Sequence, residues 1–328
     1  MKLNRRTTLA VLTNLIIVAG ATAQAQTAGY PSRPVRIVVP APAGSGPDQV
    51  ARLLALKLTE AWGGSGVVVD NKPSAGGLVA ATETARAAPD GYTLLLGEVG
   101  QMSISPNTYS KLPYDPVKDF MPISQVVIAD LVLLVNPQKV AARNVKDFVE
   151  SVRPQNSLFM ATFGAGSPGH FGAYMFGEMF KLKPEPVHYK TTAEALGGMY
   201  SGDVQAVFTS IGLAAPQVKA GKLIALASSG GGRTPALQDV PTFKEQGYPG
   251  LEFSSWFGLL APAKTPQDIV TKINADIMKI LAVPETRQKL EESGFRVTGT
   301  SRQEFARIIA ADTVTWGKAV AATGFKAD

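Results

Sequence analysis

The chain has 328 residues, 45% of them hydrophobic and 18% charged, with a formal net charge of +6. It contains no cysteine and two histidines, which excludes disulfides, thiol catalysis, cysteine-ligated metals and a histidine-rich metal site. Its lysines and arginines are scattered rather than clustered, so nothing marks a surface for nucleic acid or an anionic membrane.

Residues 1–25 read as a cleavable signal peptide. Lys2, Arg5 and Arg6 make a basic start, and Leu9 to Gly20 is apolar except for Thr13 and Asn14. Ala21-Thr22-Ala23 and Ala23-Gln24-Ala25 are both small-residue cleavage sites. The apolar run is too short for a membrane anchor, and no cysteine follows to carry a lipid. Arg5-Arg6 weakly resembles a twin-arginine signal, with ordinary Sec export the favoured reading, and either route leads to the periplasm. Loss of the leader removes three basic residues and no acidic one, leaving a mild positive excess that suits an anionic small molecule. The remainder is longer than one core usually serves, which suggests two domains.

The run 35–39 is a β-rich segment leading into PAPAGSGPD at 40–48. Val50, Leu53, Leu54, Leu56 and Leu58 then give a helix an apolar face, ending near Trp62. The valines at 67–69 predict a second, buried strand. A glycine-rich tight turn at 71–77 leads to a helix of small residues, and 92–96 is a third strand. This alternation predicts a parallel sheet. Residues 123–135 are almost continuously apolar, broken at Ala129-Asp130, and predict two successive strands crossing into a second domain. Alternation then resumes, with strands at 158–162, 187–189, 204–208 and 223–227 separated by helices. SSGGGR at 228–233 has the composition of a flexible surface loop. The apolar run 251–260 precedes three helices, at 267–281, 284–293 and 303–323. These residues have few strands of their own, so they are expected to pack on the first domain and make it discontinuous. No internal repeat is visible.

The stretch TFGAGSPGH at 162–170 stands between a predicted strand and a predicted helix. The first N–H groups of a helix lack partners and its dipole is positive there, so such a turn suits an anion. Three chemistries fit it. As G-x-G-x-x-G it is a dinucleotide fingerprint, but the next strand ends at His188-Tyr189-Lys190-Thr191 without the carboxylate that holds a ribose. Glu185 lies ahead of that strand between two prolines, and Lys190 leaves room only for a phosphorylated cofactor. As a near match to G-x-S-x-G the stretch makes Ser167 a nucleophile, but the oxyanion donor would be the N–H of Pro168, which has none. As an anion cradle it asks only that Gly164 and Gly166 allow close backbone approach and that Thr162 and Ser167 offer hydroxyls, Ser167 also as an N-cap. His170, in the first helical turn, either donates to a carboxylate or caps the turn. A helix terminus contributes about 0.3–1 kcal/mol per charge while micromolar binding needs about −8 kcal/mol, so donors must converge from elsewhere. The 40–48 loop is a natural second jaw, and the absence of a lysine after its glycines excludes a phosphate-binding P-loop. Asp48 there either complements the helix dipole or accepts hydrogen bonds from a ligand or bound water.

With these segments the chain resembles the receptors of tripartite tricarboxylate transporters, the Bug family of periplasmic solute-binding proteins. The resemblance runs from about Tyr30 to the C-terminus. Besides the two loops it rests on YPSRP at 30–34, AGG at 75–77, PDGYTLL at 89–95, LPYDPVKDF at 112–120, HYK at 188–190, AGKL at 220–223, VPTFKEQG at 240–247 and WFGLLAPAKTP at 256–266. It implies an α/β fold of the two-domain periplasmic-binding-protein type (type II-like), with a ligand cleft between the domains. The first domain is then discontinuous, 26–127 and 250–328, and the second is 128–249. The resemblance also implies a non-catalytic, monomeric receptor with no cofactor or metal, which binds a small carboxylate and delivers it to inner-membrane permease subunits. Carried over by position, the first loop places Ala41, Gly44, Ser45, Gly46 and Asp48 at the ligand, and the second places Thr162, Gly164, Gly166, Ser167 and His170 there. Many members have an aromatic residue at Ala41, glycines at Ser45 and Thr191, and an acidic residue at Thr209. A roomier pocket that lacks a carboxylate for an amino group implies a dicarboxylate or aromatic carboxylate rather than an amino acid, with Thr209 lining it. Two rivals are an exported NADP-dependent oxidoreductase and a binding protein that presents its ligand to a two-component kinase.

Overall fold

A computed structural model describes residues 29–155, 157–189 and 191–328. The expected signal peptide and Lys190 lie outside the described residues.

In the first half, β1 (Val35–Val39) lies between parallel β2 (Val67–Asn71) and β3 (Thr93–Glu98). Helices α1 (Gly46–Ala61) and α2 (Leu78–Ala85) make the two crossovers. Val50, Ala51, Leu54, Ala55 and Leu58 recur on one side of α1 and are its buried face. The strand expected to be buried at 67–69 is instead the sheet edge, with Val68 55% exposed. A run of valines records β propensity, whereas burial depends on whether a second neighbour is present.

The 123–135 segment is one strand, not two: β4 (Phe120–Val135) runs unbroken for 16 residues. After α3 (Val145–Val152), the second half repeats the first. Here β5 (Leu158–Thr162) lies between parallel β6 (Pro184–His188) and β7 (Ala206–Ser210), with crossovers α4 (Pro168–Phe180) and α5 (Thr192–Ser201). The departure at Thr191 has a local use. Its hydroxyl accepts the Glu194 N–H while the Glu194 carboxylate accepts the Thr191 N–H, a capping box that starts α5. Next come α6 (Ile211–Lys219), β8 (Ile224–Ser228), β9 (Ser254–Pro262), α7 (Gln267–Ala282), α8 (Pro284–Glu292), the two-residue β10 (Arg296–Val297) and α9 (Arg302–Thr323).

The strand order is β2-β1-β3-β9-β4-β7-β5-β6, with β8 and β10 also on β4. From Phe120 to Asp130, β4 pairs with β9; from Leu131 onward it pairs with β7 and β8. The polar break seen in the sequence is thus where the strand changes partners. Asp130, 1% exposed, sits there because Arg296 binds both its oxygens, Nε at 2.5 Å and Nη2 at 2.8 Å.

The SSGGGR segment is not a surface loop along its whole length. Ser228, Ser229 and Gly230 are buried in the crossing region. Ser229 exchanges backbone and hydroxyl hydrogen bonds with Leu131, and its C=O accepts the Phe253 N–H. A Cβ on Gly230 would stand 2.5 Å from Asp130 Oδ2, so the glycine makes room for the buried ion pair. The residues after 250 extend the first sheet, through β9. Helix α9 then reaches further: Trp316 packs on Phe171 of α4, and Phe325 stands 4.9 Å from the His170 ring, centroid to centroid.

Candidate functional site

In each half the chain leaves the central strand for one neighbour and returns on the other side, β1 to β2 to β3 and β5 to β6 to β7. The carboxyl ends of β1 and β5 are therefore topological switch points, where open α/β sheets leave a crevice for a ligand. Both glycine loops emerge there.

The loops use the same device. Gly44 and Gly166 have positive φ, 81° and 78°, and each is followed by a serine at the helix N-cap. Three residues beyond that serine, a side chain turns back to the glycine. Asp48 Oδ2 accepts the Gly44 N–H at 2.8 Å, and His170 Nδ1 accepts the Gly166 N–H at 3.0 Å. A proline follows in the first turn of each helix, second in α1 (Pro47) and first in α4 (Pro168), and has no N–H to offer. The donors left unbound in the first turns are the N–H groups of Gly46 and Asp48 in α1 and of Gly169 in α4, which have no acceptor among the described residues.

Asp48 is 2% exposed and is bound by protein groups. Besides Gly44 it accepts from Arg52 Nε at 2.8 Å and Asn71 Nδ2 at 3.0 Å. Burial penalises its charge, but the bonds from Arg52, Gly44 and Asn71 outweigh that and hold its carboxyl below its usual range. Asn71 also donates to the Ala41 C=O at 3.0 Å. The Asp48 carboxylate is spent on organising the loop, a role that neither reading of the sequence had given it. Asn71, at the end of β2, completes that network and was read from sequence only as part of a turn.

His170, 2% exposed, is likewise committed to the protein. Its Nδ1 accepts, so in the neutral ring the proton sits on Nε2. Burial first, and His188 second, push its pKa down to about 4. Thr162 is buried and its hydroxyl lies 2.5 Å from His188 Nδ1, so it braces the loop from beneath. Ser167 Oγ accepts the His170 N–H at 3.2 Å, the expected N-cap. Ser45 differs, because its hydroxyl donates to the Pro42 C=O at 2.6 Å. Gly164, at φ 121°, has open space where a Cβ would be. Thr209 is buried on β7, next to Phe208, whose carbonyl underlies Gly169. The expected residues thus form two groups, one in each half, and no hydrogen bond joins the two loops among the described residues.

Glu98 was not singled out by sequence. It ends β3 opposite Phe257, whose ring borders Gly46. Burial pushes its carboxyl up to about 7. An isolated glutamate at a strand end carries no sequence signal of this kind.

The rival chemistries fare poorly in this geometry. Glu185 lies within β6, not ahead of it, but at the end away from the loop, paired with Phe159. No ribose-binding carboxylate stands at the His188 end of that strand. His170, the base nearest Ser167 in sequence, uses Nδ1 on Gly166 and receives no proton from that serine.

A family model described as the tripartite tricarboxylate transporter family receptor matches residues 50–325. The chain belongs to this receptor family. It is 30% identical over 330 residues to protein BugT of Bordetella pertussis, covering 99% of both chains. Its structure is similar to that of R. palustris Rpa4515 with adipate, with a TM-score of 0.84 and 32% identity over 90% of this chain and 99% of that one. It is also similar to MatC from Rhodopseudomonas palustris with bound malate, with a TM-score of 0.79 and 31% identity over 89% and 100%. The family and the two-domain periplasmic-binding-protein fold expected from the sequence are both borne out. No helix among the described residues is long and apolar enough to cross a membrane.

Proposed function

We propose that this receptor captures a small carboxylate, by preference a dicarboxylate or aromatic carboxylate, between the 40–48 and 162–170 loops, and hands it unchanged to inner-membrane permease subunits. The receptor acts in the periplasm as a monomer, after removal of the 1–25 leader. The observation that carries this reading is the pair of loops at the two switch points, each with first-turn N–H groups unbound, at Gly46 and Asp48 in one and at Gly169 in the other. The adipate and malate complexes of Rpa4515 and MatC support the ligand class.

The lobes are taken as 26–127 with 250–328, and 128–249. The change of partners along β4 at Asp130 and Leu131 supports that division. Each loop supplies about 0.3–1 kcal/mol per charge through its helix terminus, so neither alone holds a ligand at micromolar concentration. A ligand that touches both loops prefers the closed arrangement, and closure follows. Ala41 and Thr209 leave room without offering a carboxylate to an ammonium group, which favours a diacid over an amino acid. A thermal-shift screen of mono-, di- and tricarboxylates beside aspartate and glutamate tests the reading. Stabilisation by a diacid is expected; stabilisation by the amino acids alone would reject the ligand class.

A further inference from the structure

A cavity of about 310 Å³ lies among α9, the crossing strands β4 and β9, and α4, and no residue of either glycine loop lines it. Its chemistry is the opposite of theirs. Asp312 and Glu252 line it with Phe253, Trp256 and Trp316, and no lysine or arginine does.

Asp312 Oδ2 accepts the indole N–H of Trp256 at 2.7 Å. That donor is neutral, so it orients the carboxylate without balancing its charge. Burial accordingly pushes the Asp312 carboxyl up, against the Trp256 bond that lowers it. Glu252 has a loose ion-pair partner, Lys244 at 3.9 Å, and is felt by the Arg296 charge, but neither cation lines the cavity. A further observation is independent of charge. Gln125, 3% exposed, lines the cavity from β4. Its backbone N–H and C=O are taken by Thr300 and Thr298, while its side-chain amide has no partner among the described residues. The amide is not sealed off but opens into the cavity, where it is free to bond a polar group of an occupant.

We propose that this cavity binds a small organic ammonium ion. Asp312 is its counter-ion, the rings of Trp316 and Phe253 border the charged head, and the Gln125 amide takes a hydroxyl or similar polar end. Aromatic rings and an unbalanced carboxylate both favour a cation removed from water, and the volume is at the lower end of the range for small-molecule sites. Met175 brings α4 of the second half to the same cavity, so the occupant contacts both halves of the chain.

The test titrates the full chain with choline, followed by calorimetry and tryptophan fluorescence. The control is 3,3-dimethylbutan-1-ol, which has the same shape without the charge. Saturable choline binding is expected, about tenfold or more tighter than the alcohol, and weakened by about tenfold in Asp312→Asn. No saturable binding, equal binding of choline and the alcohol, or unchanged choline affinity in a folded Asp312→Asn variant would overturn the proposal. If that variant does not fold, the comparison of the two probes on the unaltered chain still decides. Neither probe is a carboxylate, so the outcome is independent of the loop site.

Discussion

His170 Nδ1 accepts the backbone N–H of Gly166 at 3.0 Å, and this bond fixes both the loop and the tautomer of the ring. Protonating Nδ1 would break it. The folded protein holds His170 near pKa 4, whereas an unfolded histidine titrates at 6.5. Between those values the unfolded chain binds the proton that the folded one refuses. The stability from His170 is therefore complete above pH 6.5 and lost as pH falls toward 4, by about 3 kcal/mol. His188, which faces the ring, is also lowered by burial and acts in the same direction. Urea unfolding of wild type and His170→Gln at pH 7.5 and 4.5 checks this. The gap between the two proteins is expected to shrink at the lower pH; an unchanged gap would mean that His170 does not titrate in that window.

Asp48 has the corresponding place in the first loop, with three protein donors on its carboxylate. Asp48→Ala leaves the Gly44 N–H and one N–H of the Asn71 amide without their acceptor. It is expected to destabilise the fold by about 2–4 kcal/mol and to weaken carboxylate binding through loss of loop order. Asp48→Asn keeps the shape and part of the bonding, and should fall between. Thermal melts paired with calorimetry measure both effects; a neutral Asp48→Ala would remove the loop-organising role.

The sequence made the glycine positions of both loops legible, since a strand, a glycine-serine turn and a helix follow one another in each. It did not make their equivalence legible. GSGPD and GSPGH share little as text, and the likeness lies in what Asp48 and His170 do with their own loop glycines. Residue type alone left His170 open between donor and cap; the structure shows its Nδ1 capping the turn at Gly166. The continuity of β4 was hidden because Asp130 reads as a break until Arg296, 166 residues later, neutralises it. The buried part of SSGGGR was hidden for a related reason: small polar residues look like loop unless their hydrogen bonds to Leu131 and Phe253 are known.

Two glycines should respond oppositely to alanine. A Cβ on Gly169 would stand 2.9 Å from the Phe208 carbonyl oxygen, a backbone atom that cannot step aside. Gly169→Ala is expected to lose about 1–3 kcal/mol and to disturb the second loop. Gly197, inside α5, has nothing within 4 Å of its would-be Cβ, and Gly197→Ala should gain about 0.5–1 kcal/mol. Chemical denaturation of both variants reads the difference; equal and small effects would contradict the contact at Phe208.

Glu98, opposite the Phe257 that borders Gly46, is expected to add a pH dependence to ligand capture. Its carboxyl, raised to about 7 by burial, is protonated below that pH and can then donate to an anionic ligand. Above it, the charged form repels one. Carboxylate affinity is expected to fall by up to about tenfold per pH unit above 7 and to lose that slope in Glu98→Gln. Titrations from pH 6 to 8.5 check this, and a slope kept in Glu98→Gln would assign the dependence to another group.

The most direct measurement is calorimetric titration of the wild type, Ser45→Ala and Ser167→Ala with adipate and malate. The expected result is one site per chain with micromolar affinity for at least one of the two acids, weakened about tenfold by either substitution, one in each loop. Absence of binding by both acids, or binding that neither loop substitution changes, would contradict the two-jaw account.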